Sequence, residues 1–157
     1  MNIDIIAVVK IKEKYFTQAV EEYQKSLSRF VKFTVTEVLD EKIPDNASEK
    51  EKLLILEKEG EKILSKIKDG FVVALCIEGK QLGSEEIADF LEKTSMTSSR
   101  ITFIIGGSLG LSDKVKQRAG LKLSFGKVTL PHQLMRVVLS EQIYRGFKIL
   151  NNENYHK

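Results

Sequence analysis

Glycine-bearing segments at three places in the chain have the residue types needed to cradle a small ligand. Each follows a predicted strand, and glycine lets the backbone approach a bound molecule closely. The segments are residues 75–84, LCIEGKQLGS, with Gly79 and Gly83; residues 102–112, TFIIGGSLGLS, with Gly106, Gly107 and Gly110; and residues 124–132, SFGKVTLPH, with Gly126. Together they could enclose a ligand with backbone amides and carbonyls instead of charged side chains. This chemistry suits an adenosine without a phosphate, such as that of S-adenosylmethionine.

The glycine spacing excludes two common nucleotide sites. Gly-Gly-x-x-Gly at residues 106–110 differs from the Gly-x-Gly-x-x-Gly of dinucleotide folds, and the first strand–helix turn, Lys10 to Lys14, has no glycine. The acid that would bind a ribose about 20 residues later is missing, because no acid occurs from Lys114 to Ser140. No glycine is followed by Lys-Ser or Lys-Thr, so the sequence has no Walker loop.

The last three residues, Tyr155, His156 and Lys157, combine a stacking ring, an imidazole and a cation. These groups suit an extruded nucleobase and a phosphate. The alternative is a mobile chain end without a role. His132, which follows a proline at a helix start, is interpreted as a capping or packing residue. For Arg136 two interpretations stay open, an ion pair with a neighbour such as Glu141 or a contact with RNA.

Composition predicts one globular domain in the cytoplasm. The chain has 157 residues, of which 42% are hydrophobic and 30% charged. Its longest apolar run, residues 71–77, is too short to span a bilayer, and Asp4 interrupts the region where a signal peptide would need apolar residues. Two histidines and one cysteine provide no metal cluster. The cysteine, Cys76, is predicted to be a small buried hydrophobe.

Charge is distributed unevenly along the chain. From residue 101 onward there are nine basic and three acidic residues, against sixteen and nineteen before it. A basic C-terminal third indicates an anionic partner, with nucleic acid the first candidate. A solvated face that is basic by chance is the alternative.

Hydrophobic periodicity predicts alternating strands and helices. The predicted strands are Asn2–Val9, Phe33–Leu39, Phe71–Ile77, Ile101–Ile105 and a short one through Leu121, Leu123 and Phe125; the predicted helices are Tyr15–Phe30, Ser48 to about Lys68, Ser84 to about Lys93, Ser112–Ala119 and Pro131 to about Leu150. This alternation indicates an α/β fold, a mostly parallel sheet with helices on both faces. Ligands bind such sheets at the carboxyl ends of the strands, so the loops after strands 1, 3, 4 and 5 are the candidates.

Several segments carry a family resemblance: IIGGSLGLS, TLPHQLMRVVLSEQIYRGFKI and the terminal YHK, together with IIAVVKIKEKYFTQAVEEY and EKEGEKIL. They resemble the ribosomal RNA large-subunit methyltransferase H family of the SPOUT superfamily over essentially the whole chain. The resemblance implies a single domain over residues 1–157, a homodimer, and a C-terminal trefoil knot that forms the cofactor pocket within about residues 71–157. It implies S-adenosylmethionine as cofactor and methylation of N3 of a pseudouridine in the 23S rRNA of the assembled ribosome.

The resemblance also implies site residues. By position the cofactor-binding residues are Leu75, Gly106, Gly107, Phe125, Gly126, Lys127, Val128, Thr129 and Leu130. Gly106 and Gly107 are expected to let the backbone of the knot approach the adenosine. At position 126, where the family pattern accepts serine or another small residue, this sequence has glycine, and the departure is expected to cost little because the backbone makes the contacts. No metal and no membrane are implied.

Transfer of a methyl group to a ring nitrogen requires aligned atoms and loss of the proton on that nitrogen. His156 is the candidate base by residue type, Arg145 the candidate anion stabiliser, and Tyr155 completes the candidate catalytic group. The last helix, with Leu134, Val137, Val138 and Ile143 on its apolar face, is the expected dimer surface. A non-catalytic RNA- or ribosome-binding α/β domain with purely structural glycine loops is the alternative function.

Overall fold

The computed structural model describes residues 1–9 and 14–156; most of the turn predicted at Lys10 to Lys14, and Lys157, lie outside the described residues. Strands and helices alternate along the described chain as predicted. The strands are β1 (Asn2–Val9), β2 (Lys32–Leu39), β3 (Phe71–Gln81), β4 (Arg100–Ile105) and β5 (Leu121–Ser124), and the helices are α1 (Lys14–Leu27), α2 (Glu49–Lys66), α3 (Ser84–Ser95), α4 (Asp113–Arg118) and α5 (His132–Leu150).

The strands form one sheet in the order β2-β1-β4-β3-β5. Every neighbouring pair is parallel, which confirms the predicted parallel sheet. Because parallel strands end at the same edge, the loops after β3, β4 and β5 meet there. The trefoil knot is compatible with this strand order and stays a prediction.

Helices cover both faces of the sheet. Residues Ile3, Ile5 and Phe103 face a core shared with α1, α3 and α5. The alternate strand residues, such as Ile6 and Ile104, pack against α2 and α4 on the other face. This alternation explains why β1 is apolar along nearly its whole length, since both of its faces are buried.

Strand β3 is longer than predicted, because it continues past Ile77 to Gln81 and pairs again with β5 after an irregularity between Leu75 and Lys80. Gly79 therefore lies in a strand and not in a ligand loop. A Cβ on Gly79 would lie 2.7 Å from the backbone of Lys122. The glycine permits close approach of β3 to β5.

Two of the helices begin at a serine N-cap. Ser48 accepts a hydrogen bond from the amide of Glu51 while the Glu51 carboxylate accepts one from the amide of Ser48, which is the predicted capping box of α2. Ser112 caps α4 through the amide of Val115, so α4 starts directly after the glycine turn. Among the described residues no helix is long and apolar enough to cross a membrane.

Candidate cofactor pocket and C-terminal cluster

A cavity of about 760 Å³ opens at the carboxyl ends of β3, β4 and β5. Its wall is formed by the last part of β3, the glycine turn after β4, and the segment that joins β5 to α5. This volume lies within the range of about 300–1,000 Å³ that small-molecule sites occupy. The three predicted segments thus meet around one space large enough for a nucleoside-sized ligand.

Eight of the nine predicted cofactor residues lie on the wall of this cavity. They are Leu75, Gly106, Gly107, Phe125, Gly126, Val128, Thr129 and Leu130. Lys127, in contrast, has an exposed side chain and is not part of the wall. The position of these eight residues agrees with the expectation, and their contact with a cofactor stays a prediction.

The glycine turn after β4 folds back on itself. The amide of Gly110 donates to the carbonyl of Gly107 at 3.1 Å, and the two residues form an isolated antiparallel bridge. A Cβ on Gly106 would collide with the backbone of Gly110, and one on Gly107 would lie 3.1 Å from the Val8 side chain. The chain itself therefore requires glycine at 106, whether or not a ligand approaches, whereas a Cβ at 107 would make a tight contact that the Val8 side chain has to accommodate.

Gly126 has a backbone conformation that favours glycine. Its φ is +110°, a left-handed conformation that other residues rarely adopt. Its amide also donates to the hydroxyl of Ser124 at 3.1 Å. Serine is therefore not equivalent to glycine at this position, because any Cβ would be strained there.

Two opposite charges lie on the cavity wall. The ammonium of Lys116, on α4, pairs with the carboxylate of Glu78, on β3, at 2.5 Å. This pair raises the pKa of Lys116 and lowers that of Glu78. The expectation of a wall made only of backbone groups and uncharged side chains was therefore incomplete.

A thiol and an imidazole also lie on the cavity wall. Cys76 was predicted to be a small buried hydrophobe, but it is only partly buried and lines the cavity. Burial raises the pKa of its thiol most, and the negative charge of Glu78 raises it further. His132 also lines the cavity, and burial followed by the charge of Arg136 lowers its pKa.

Arg136 is buried one helical turn after His132, with a relative exposure of 7%. It pairs with Glu37 on β2 at 3.3 Å, so of its two interpretations the ion pair is correct, with a different partner from Glu141. Its Nε and Nη2 are buried and have no hydrogen-bond partner within the part of the chain that the structure describes. Burial removes Arg136 from the residues that could touch RNA in this chain.

Glu59 of α2 supports the glycine turn from behind. The residue is only 4% exposed, and its carboxylate accepts a hydrogen bond from the amide of Glu41 at 2.9 Å. A Cβ on Gly107 would lie 3.6 Å from the other carboxylate oxygen. Burial raises the pKa of Glu59, and the nearby acids Asp40 and Glu41 raise it further.

The three candidate catalytic residues lie together at the far end of α5. Arg145 Nη1 is 3.1 Å from His156 Nδ1, and its guanidinium lies 4.7 Å from the ring centre of Tyr155. Glu141, one turn earlier, accepts a hydrogen bond from Arg145 Nε at 2.7 Å. The ring of Tyr155 packs edge-on against Tyr144. We call Arg145, Tyr155 and His156 the tail cluster.

The tail cluster is far from the cavity of its own chain. His132, at the first turn of α5, lines the cavity, whereas Arg145 is thirteen residues further along the same helix. At a rise of 1.5 Å per residue this corresponds to roughly 20 Å. The candidate cofactor site and the candidate catalytic group therefore lie at opposite ends of one helix.

Comparison with known families decides the classification. A family model described as "Predicted SPOUT methyltransferase" matches residues 1–156. The chain belongs to the SPOUT methyltransferase family.

Similar proteins support this classification. The Ribosomal RNA large subunit methyltransferase H of Clostridium beijerinckii is 58% identical to this SPOUT methyltransferase, and the match covers 100% of both chains. A tRNA (m1G37) methyltransferase of Aquifex aeolicus has a TM-score of 0.54 at 14% identity and covers 92% of this chain and 70% of that one. A Legionella pneumophila methyltransferase, solved with bound SAM, has a TM-score of 0.53 at 14% identity, with 94% and 66% covered. At 14% identity these structures share the fold alone.

Sequence patterns did not indicate every polar group around the cavity of this SPOUT methyltransferase. Glu78 and Lys116 were missed because they are 38 residues apart and meet only through the pairing of β3 with β5 and the packing of α4. Glu59 lies in the quoted segment EKEGEKIL, where an acid beside a glycine gave no sign of burial. The one usable signal was the position of Lys116, one turn after the Ser112 cap that follows the glycine turn.

Proposed function

We propose that this chain transfers a methyl group from S-adenosylmethionine to N3 of a pseudouridine in the 23S rRNA of the assembled large ribosomal subunit, in the cytoplasm. The observation that carries the proposal is the full-length, 58% identical relative named Ribosomal RNA large subunit methyltransferase H. The proposal treats residues 1–157 as one domain, with the knot and the cofactor pocket within about residues 71–157.

The cavity fits such a cofactor. Gly110 and Gly126 line the cavity, and Cβ atoms added to them would meet no heavy atom within 4 Å, so the space beside both glycines is open. Leu75 and Phe125 provide apolar contact for a base, and the loop from Gly126 to Leu130 offers backbone groups to its polar edge. When bound, the cofactor supplies a methyl group on a positively charged sulfur. The chain's own part is to orient that group and to exclude water from it.

The tail cluster has the groups needed to position the RNA base. Arginine only donates hydrogen bonds, so His156 Nδ1 accepts in its contact with Arg145. A neutral His156 then carries its proton on Nε2, which lies 3.9 Å from the Glu85 carboxylate, and this N–H can donate a hydrogen bond to a carbonyl oxygen of the base. In this arrangement the role of His156 is to orient the base and to stabilise the anion that forms when N3 loses its proton. It is not placed to remove that proton itself. Tyr155 provides a ring for stacking.

A homodimer resolves the separation of cavity and tail cluster. In an isologous dimer built around α5, the tail cluster of one protomer reaches the cavity of its partner. Apolar side chains remain exposed near the cavity mouth, with relative exposures of 53% for Ile77 and 72% for Val128. On α5 itself Leu134 and Val138 stay partly exposed, whereas Ile143 is 0% exposed in the core and does not belong to the contact surface.

Part of the basic C-terminal third is available for RNA. Lys114, Arg118, Lys122 and Lys127 are exposed around α4 and β5. Lys116 and Arg136 are engaged in ion pairs with Glu78 and Glu37. Phosphate binding by the four exposed cations makes affinity for the ribosome fall as salt rises.

Two measurements test the proposal. Calorimetry should detect binding of S-adenosylmethionine and of S-adenosylhomocysteine. Ribosomes from a strain lacking the enzyme should then incorporate a labelled methyl group, and ribosomes already modified should not. Ribosome binding without cofactor binding would instead support a non-catalytic RNA-binding domain. Cofactor binding with transfer only to free RNA would overturn the assembled ribosome as substrate.

A further inference from the structure

The Glu78–Lys116 ion pair is the one charged feature on the cavity wall among the described residues. Lys116 extends from α4 and Glu78 from β3, and their charged atoms are 2.5 Å apart. The rest of the wall consists of apolar side chains, backbone, a thiol, hydroxyl groups and His132. A ligand that fills the cavity therefore meets one positive and one negative side chain side by side.

The pair can exchange partners easily. The Glu78 side chain has a relative exposure of 56% and that of Lys116 26%. Ion pairs with this degree of exposure add little to folding stability, because water and salt screen them. Each charge could therefore leave the other for a ligand group of opposite sign with little loss to the fold.

The cofactor of the proposed function carries a matching pair of charges. Its amino-acid end has an α-carboxylate and an α-ammonium on one carbon, while its adenosine end is uncharged. We infer that Lys116 binds the cofactor's α-carboxylate and Glu78 its α-ammonium, which makes these two residues the subsite for the amino-acid end. This inference rests on the proposed function, since it assumes that the cavity holds S-adenosylmethionine.

The rest of the wall supports this orientation. The apolar residues Leu75 and Phe125 and the loop after β5 suit the base, so the adenosine occupies that side. The amino-acid end then lies towards Glu78 and Lys116, which among the described wall residues are the ones that can neutralise both of its charges. Charge-assisted hydrogen bonds of this kind are stronger than those between neutral groups.

A pair of ligands isolates the amino-acid end. S-adenosylhomocysteine carries it, whereas 5′-methylthioadenosine keeps the adenosine and the thioether without it. Calorimetry should compare both ligands on the wild type and on the nearly isosteric variants Lys116→Met and Glu78→Gln. We expect each variant to lose roughly tenfold to a hundredfold in affinity for S-adenosylhomocysteine, the value of one charge-assisted hydrogen bond. Affinity for 5′-methylthioadenosine should stay unchanged.

Matched controls are Lys93→Met and Glu57→Gln, which change exposed residues outside the cavity wall. They should bind both ligands as the wild type does, and thermal unfolding should show all four variants folded. Equal losses for both ligands would overturn the inference and point to the ribose or the loop. Unchanged affinity for S-adenosylhomocysteine would overturn it too. If the wild type binds neither ligand, the proposed cofactor itself is wrong.

Discussion

At the scale of single residues, the Glu59 carboxylate accepts a hydrogen bond from the backbone amide of Glu41, and the pKa values of the two side chains shift in opposite directions. Burial raises the pKa of Glu59 above its ordinary value of 4.5. A hydrogen bond from Lys62 lowers the pKa of Glu41, which pairs with that lysine at 2.9 Å. Ionised Glu59 therefore lowers the stability of the fold, whereas ionised Glu41 raises it.

Glu59→Gln should be as stable as the wild type at pH 7, or more stable, because glutamine keeps an acceptor for the Glu41 amide and removes a buried charge. The cost of the charge in the wild type is present above the folded pKa and disappears as pH falls through it towards 4.5. Any advantage of the variant should therefore shrink on acidification. Urea unfolding at pH 7, 6 and 5 measures this.

Glu41→Gln is the control with the opposite sign. The lowered pKa of Glu41 gives stability that is present above 4.5 and lost as pH falls through the folded value. This variant should therefore be less stable than the wild type at pH 7. A Glu59→Gln protein that is less stable than the wild type at every pH would contradict the role assigned to burial.

Gly126 provides a second prediction at this scale. Gly126→Ser should lower the free energy of unfolding by about 1 kcal/mol or more, because a Cβ is strained at φ +110° even with open space around it. Affinity for S-adenosylmethionine should fall with it, since the loop lines the cavity. Urea unfolding and calorimetry measure the two effects.

Gly83→Ser makes the same chemical change where φ is −74° and where Gly83 is the N-cap of α3. Serine is a favoured N-cap residue, so this variant should be neutral or slightly stabilised. Equal stability of the two serine variants would show that position 126 does not need glycine.

At the scale of elements, the C-terminal segment is more firmly held than a polar chain end suggests. Glu153 forms ion pairs with Arg29 after α1 and with Lys148 on α5. Tyr155 packs against Tyr144 and Arg145. The segment is therefore part of the α5 surface, and its removal affects packing as well as chemistry.

Deletion of residues 154–157 should reduce methyl transfer to ribosomes by orders of magnitude and leave S-adenosylmethionine affinity nearly unchanged, because the cavity is at the other end of α5. The melting temperature should fall slightly, since the Tyr155 ring loses its contacts. His156→Ala should reproduce much of the loss in rate with a smaller change in stability. Labelled methyl incorporation, calorimetry and thermal unfolding provide the three readouts.

Tyr155→Phe is the matched control, because it keeps the ring contacts with Tyr144 and Arg145 and removes only the hydroxyl group. It also removes the hydrogen bond between that hydroxyl and Tyr23, so its melting temperature should fall less than that of the truncated protein. Full transfer activity in the truncated protein would eliminate the tail cluster and leave the exposed cations around α4 as the candidates for RNA contact.

At the scale of the whole molecule, the separation of about 20 Å along α5 predicts a shared active site. His156→Ala keeps an intact cavity, and Gly126→Val keeps an intact tail cluster. Each variant alone should be inactive. Mixed subunits that exchange at random should recover about a quarter of wild-type transfer, because half of the dimers are mixed and one of their two sites is intact.

Light scattering should first measure the oligomeric state, since a monomer at micromolar concentration would exclude this arrangement. A dimer without recovery in the mixture would show that cavity and tail cluster work within one chain. Separate labelling of the two variants confirms that subunits have exchanged.

The sequence by itself determined much of the fold, because hydrophobic periodicity and helix caps are local. The Ile- and Val-rich run from Asn2 to Val9 was correctly predicted to be a buried strand, and the Ser48 capping box marked the start of α2 correctly. Family resemblance led to eight residues that the folded chain brings to one cavity wall. The extension of β3 to Gln81 could not be predicted, because it depends on pairing with β5.

Only the tertiary structure decided which charges and glycines matter at the site. Gly106 and Gly126 look alike in the sequence, yet Gly106 is required by chain packing and Gly126 by its φ. Lys116 and Glu78 face one another only because α4 packs beside β3. Burial and pairing depend on residues distant in the chain, so local patterns carry no information about them.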